Sequence, residues 1–400
     1  MNLPKDIVLI FCLAGAAVSI LACSIISNIK NNRKIKRRIE REWGNKLDRK
    51  YTSDNISYIS KYFYNKKCEY KGKFFIDEIT WNDLEMDEIF KYINSTESTP
   101  GEECLYVMLR EPIYDDIKLK NRNKLIEFFQ NNKEKREKIQ YNLAKLGRKR
   151  GSDISSYFLN YTQKNQESKL IIYRILSIVP LVSVGIMFLN LGIGLMSLFI
   201  SFMINSVLHY YVKQRIDYKL RAYSYIIQMI KCSNLILKEN IKEIEYYNNI
   251  LKNVIKSVKQ FKNVHFDLNS NSTDASVMIS YINIIFLKDL INYEKMNKKL
   301  KTDNEEFKTI FQVLGIIDSS ISIASYRCRV KNYTIPELYK CDNKKEQDIV
   351  LKDVRHPLIP HGVANSIDIS DSILITGSNA SGKSTFLKTI AVNCIFAQTI

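Results

Sequence analysis

The residues most able to do chemistry lie together near the end of the sequence. Gly377, Ser378, Asn379, Ala380, Ser381, Gly382, Lys383, Ser384 and Thr385 match G-x-x-x-x-G-K-[ST]. In such a loop, glycines let the backbone curl so that successive N–H groups converge on phosphate oxygens. Lys383 is placed to meet β- and γ-phosphates as a point charge, and the Ser384 hydroxyl to ligate Mg2+. The cofactors expected are therefore ATP and Mg2+.

Such a loop needs a strand to launch it and a helix to receive it. Ile373-Leu374-Ile375 has the apolar run of a short buried strand, and Thr385 to Gln398 has helical spacing. A helix there would aim its positive end at the phosphates. Ile349-Val350-Leu351 and Ile367-Asp368-Ile369 read as two further strand pieces. Fifteen residues follow Thr385, none of them acidic. Hydrolysis in this class also uses a carboxylate at the end of a second strand. Residues 347–400 by themselves are expected to bind nucleotide rather than hydrolyse it.

Upstream, the elements are helical. The chain has 400 residues, only 13 Gly and 7 Pro, and a net charge of +18. That composition excludes collagen-like and linker-rich chains. The basic excess is carried by 44 Lys and 16 Arg. Eight cysteines make no C-x-x-C pair and four histidines complete no ligand set, so neither a zinc site nor a disulfide scaffold is expected.

Charge is unevenly distributed. Ile7 to Ile29 holds 23 residues without a charge, long enough to span a bilayer. Lys30 to Lys50 follows with ten basic and three acidic residues, a local charge of +7. That order places the N-terminus outside and residue 30 onward in the cytoplasm. A cleaved signal peptide has its positive charge before the apolar run instead. Ile175 to Val212 is a second uncharged stretch of 38 residues, with Asn190, Gly192 and Gly194 near its middle. It reads as two spans joined by a tight turn. Lys169 and Arg174 on one side, and Lys213 and Arg215 on the other, put both ends in the cytoplasm. The expected location is the cell membrane, multi-pass, with cytoplasmic soluble regions.

Between these stretches, Lys118 to Leu146 has the spacing of an amphipathic helical pair. Residues 213–262 read as one or two long helices. Asn269 to Thr273 reads as a loop, and helix resumes from about Ala275 to Tyr326.

Four stretches together resemble the MutS family. They are Arg355-His356-Pro357-Leu358 with Val363-Ala364-Asn365; Ile375-Thr376-Gly377-Ser378-Asn379 through Thr385; Leu314 to Asp318 with Ser322 to Arg327; and Thr80-Trp81 through Leu109-Arg110-Glu111-Pro112 to Arg122. They cover roughly residues 75–150 and 310–400, and the apolar segments point to a membrane-attached branch. Together with the uncharged stretches, the expected fold is a mainly α-helical chain with transmembrane helices and the start of a C-terminal α/β P-loop (ABC-like) ATPase domain. Its divisions would be a first span over 1–29, a core-like cytoplasmic region over 30–169 and a membrane hairpin over 170–212. A lever-like region over 213–346 and an incomplete ATPase domain over 347–400 would follow.

The resemblance further implies a homodimer through the ATPase domain, levers moved by nucleotide, and DNA as a partner. It places Asn379 near the γ-phosphate and Val363 beside the adenine. Family members usually carry Pro where Ser378 stands, and often an aromatic where Gly362 and Val363 stand. The Phe-x-Glu element of the mismatch reader occurs nowhere in the chain. Two other classes share the features. One is an ABC-type transporter fragment, which has a similar loop but more spans. The other is a non-catalytic membrane remnant with a vestigial loop.

Overall fold

The computed structural model describes residues 5–70, 72–149, 154–159, 168–261, 264, 274–302, 304–339, 349–378 and 381–400. The expected loop at Asn269 to Thr273 lies outside them, as do Asn379 and Ala380. Among the described residues the architecture is mostly helical. The first apolar stretch and its basic tail form one helix, α1 (Lys5–Glu42), roughly 57 Å long. Then come α2 (Ser53–Glu69), α3 (Glu78–Asp83), α4 (Met86–Ile93) and α5 (Thr99–Arg110). The expected amphipathic pair is α6 (Asp116–Asn131) and α7 (Lys133–Leu146), followed by the short α8 (Ser156–Leu159).

The second apolar stretch forms a helical hairpin, α9 (Leu170–Met187) and α10 (Leu191–Lys238). Its turn falls at residues 188–190, where the Asn190 side chain accepts from Ile193 N and caps α10. A Cβ on Gly194 would lie 2.4 Å from Met187 Cγ, so the tight return requires glycine there. The change of composition at 212/213 is not a structural break, because α10 continues to Lys238. The chain then forms α11 (Glu245–Val258), α12 (Asp274–Phe286), α13 (Lys288–Thr302) and α14 (Asn304–Val330).

The core centres on α5 and α14. Every residue of α5 is buried, as is every residue of α14 from Ile317 to Arg327. Small residues let these two helices approach closely. A Cβ on Gly101 would fall 2.1 Å from Asp318 Oδ2, and Ser319 Oγ donates to the carbonyls of Gly101 and Gly315. The Asp318 carboxyl accepts from Glu97 N, Ser98 N and Ser98 Oγ, tying the start of α5 to the middle of α14. At the other end of α5, Arg110 stacks against Trp81 and Phe63 and pairs with both carboxylate oxygens of Glu78. Buried charges stand only when paired in this way.

Three helices are long and apolar enough to cross a membrane among the residues whose placement is described: α9, α10 and α14. Burial separates them. The apolar windows of α9 and α10 are each 17% buried, whereas that of α14 is 83% buried. α14 spends its apolar surface on the core, and the hairpin leaves its own exposed.

The C-terminal segment holds two strands, β1 (Ile349–Val354) and β2 (Asn365–Ile369), and α15 (Lys383–Thr399). β1 and β2 pair antiparallel, with Leu351 opposite Ile367 and an irregularity before Val354. The strand expected at Ile373-Leu374-Ile375 is not formed. A strand needs a neighbour's backbone to complete its hydrogen bonds. Among the described residues none lies beside it, and Ile373 and Leu374 are exposed.

Candidate functional site: the loop before α15

The loop from Gly377 runs into α15 through Gly382, whose φ of +86° is left-handed and suits glycine. Gly382 O accepts from Phe386 N, so the helix starts directly behind the loop. The Lys383 ammonium folds back and donates to Gly377 O at 2.5 Å and Ser378 O at 2.6 Å. Ser381 N donates to Ser378 O at 3.3 Å. A Cβ on Gly377 would lie 2.9 Å from Ser381 Oγ, so this turn too favours glycine. The Lys383 ammonium thus gathers Gly377 and Ser378, with Ser381 packed and hydrogen-bonded against the same turn. Ser384 and Thr385 are exposed on the first turn of α15.

Val363 sits on the turn between β1 and β2 and is exposed. None of the described hydrogen bonds links it to the loop. Arg355 Nη1 donates to Gly362 O at 2.5 Å, and His356 Nδ1 accepts from Leu358 N. Arg355-His356-Pro357 is therefore a strand-ending turn. Burial and the nearby Lys388 hold the His356 imidazole below its ordinary value, against the opposing pull of Glu85. Among the described residues no three His, Cys, Asp or Glu side chains cluster to hold a metal.

The attachments of α15 carry no motif. Lys388 Nζ meets Glu85 Oε1 at 2.5 Å, and Glu85 itself is left-handed, with φ of 53°, just before α4. Asn393 Nδ2 donates to Arg355 O at 3.4 Å, holding the β1 turn to the helix. At the far end, Gln398 O accepts from Ile113 N at 2.9 Å, and Thr399 O accepts from Arg122 Nη1. A guanidinium at a helix C-terminus satisfies carbonyls that the helix leaves open and complements its dipole. Phe396 meets Tyr326 of α14 edge-on, with ring centroids 6.2 Å apart. One rod of about 25 Å therefore joins the loop to the segments after α5 and to α14.

No protein-family model matches the chain. It is similar to MutS protein homolog 4 of Saccharomyces cerevisiae, 31% identical over 113 residues, covering 26% of this chain and 12% of the relative. It is similar to the DNA mismatch repair protein MutS of Clostridium tetani, 31% identical over 116 residues, covering 26% and 12%. It is also 47% identical over 62 residues to Endonuclease MutS2 of Streptococcus sanguinis, covering 14% and 8%. The chain thus spans about an eighth or less of the length of these relatives. The matches support a MutS-like relationship over about a quarter of the chain.

Proposed function

We propose that the protein is a membrane-anchored, MutS-like ATP-binding protein whose loop at 377–385 holds the phosphates of Mg2+·ATP. The observation that carries this is the placement of Lys383. Its ammonium rests on two neutral carbonyls at the head of a glycine loop, directly before a helix N-terminus. Phosphate oxygens would replace those carbonyls with charge-assisted bonds. The loop N–H groups would supply further donors, Ser384 a hydroxyl to Mg2+, and Asn379 an amide near the γ-phosphate. Val363 would lie beside the adenine.

Because α15 is tied to Glu85, Ile113 and Arg122, a shift of its start on nucleotide binding would reach the α5–α14 core. This is the route by which nucleotide would move the long helices. A homodimer through the nucleotide segment is what the MutS resemblance implies, and DNA as a partner is supported by relatives named DNA mismatch repair proteins. The apolar part of α1 and the α9–α10 hairpin would be the anchors, with the basic residues from Lys30 to Lys50 on the cytoplasmic face.

The test is equilibrium binding of a fluorescent ATP analogue with Mg2+ to the full chain in detergent. Lys383→Ala removes one charged hydrogen-bonding group worth about 1.5–3 kcal/mol, so affinity should fall roughly 10- to 100-fold. Equal binding by wild type and variant would sink the proposal and favour a vestigial loop.

A further inference from the structure

We infer that α12 is a membrane-embedded helix, seated against the α9–α10 hairpin within the same apolar layer, with lipid acyl chains covering its outer face. The inference rests on the membrane reading of that hairpin proposed above.

Ala275 to Leu287 is 13 residues without a charged side chain. A helix of that length is about 20 Å, too short to span the bilayer by itself. Its placement is what identifies it. Asn205 lies in α10, about 21 Å along the helix from the hairpin turn. Its Nδ2 donates to Leu176 O of α9 at 3.2 Å and to Ile285 O of α12 at 2.8 Å. The three helices therefore meet at one depth.

That depth falls inside the bilayer. A full crossing needs roughly 20 residues, which takes α10 from Leu191 to about residue 210. Were Asn205 and Ile285 in water, only the 14 residues 191–204 would remain to cross. They would supply about 21 Å against a hydrocarbon thickness of about 30 Å.

Polar chemistry points the same way. Asn205 and His209 are four residues apart, on one face of α10, and are only 1% and 6% exposed. Ile285 and Asp289 lie against that face, with Asp289 Oδ2 3.9 Å from His209 Nε2. Without α12, one Nδ2 hydrogen of Asn205 would keep Leu176 O of α9 and the other would face hydrocarbon with no acceptor. With it, Nδ2 bonds one backbone carbonyl on each neighbouring helix, as polar groups between membrane helices do. The outer face of α12 is apolar: Tyr281 is 54% and Ile282 40% exposed. The hairpin likewise exposes apolar side chains, Phe199 and Met203 among them.

The test uses the full wild-type chain in phosphatidylcholine–phosphatidylglycerol vesicles. A hydrophobic diazirine that partitions into acyl chains is photolysed, and the labelled peptides are mapped by mass spectrometry. Label is expected on 191–204 and on 280–287, and not on the water-facing α11 at 245–258. Label on 191–204 without label on 280–287 would overturn the inference and leave the hairpin reading standing. Label on neither would remove both.

Discussion

Asp318 offers a perturbation whose size and sign can be worked out. Its carboxyl is fully buried between α14 and the start of α5 and is pushed up from 3.8 to about 7. Burial is the main cause, outweighing the hydrogen bonds from Ser98 and from Glu97 N, which pull it down. The unfolded chain ionises this carboxyl near 3.8, the folded chain only near 7. The stability contribution is therefore complete below about pH 4 and declines as pH rises toward 7, after which it is flat. The slope is about 1.4 kcal/mol per pH unit. Between pH 5 and pH 8 the wild type should lose about 3 kcal/mol from this group. Asp318→Asn keeps the shape and cannot ionise, so it keeps whatever stability it has across that range. Denaturant unfolding of both proteins in one detergent at pH 5 and pH 8 gives the difference between them, in which all other titrations cancel. Wild type minus variant should fall by about 3 kcal/mol on going to pH 8. A constant difference, or one that grows with pH, would show that the Ser98 and Glu97 donors favour the carboxylate and that burial does not dominate.

Two further substitutions probe the helix contacts. Gly101→Ala should destabilise by roughly 1–3 kcal/mol, although glycine to alanine inside an ordinary helix gains about 1 kcal/mol, because the new Cβ would sit 2.1 Å from Asp318 Oδ2. An unfolding midpoint equal to or above wild type would show that Asp318 can move aside. Lys388→Ala removes an exposed ion pair with Glu85 and should cost less than about 1 kcal/mol of stability. It should nevertheless abolish any change in hydrogen exchange over Met86–Ile93 on adding nucleotide, with nucleotide binding intact; the same change in both proteins would remove this pair from the route.

What could be read in the sequence follows the range of the interaction that fixes each feature. The α6–α7 pair, the hairpin and the helix behind the loop were legible, because residues a few positions apart set them. Apolar spacing marked α6 and α7, and an uncharged run with Asn190 in its middle marked the turn. The turn before α15 was legible for the same reason: Gly377, Ser381 and Lys383 interact within seven residues.

Hydropathy alone misleads where the partner is distant. α14 is as apolar by composition as a span, yet it packs on α5, more than 200 residues earlier. Conversely α12 is too short to register, and its placement follows from Asn205, eighty residues away. Ile373 to Ile375 has the side chains of a strand but no adjacent described strand to bond.

The attachments of α15 are the least legible, because Ile113 N to Gln398 O joins two backbone groups whose side chains are immaterial to the bond. Arg122 and Glu85 are ordinary charged residues until the fold brings Thr399 O and Lys388 to them. A loop of this pattern can therefore be found from nine consecutive residues. Whether it moves anything depends on contacts nearly three hundred residues apart in the chain, and those are where substitutions should separate nucleotide binding from its consequences.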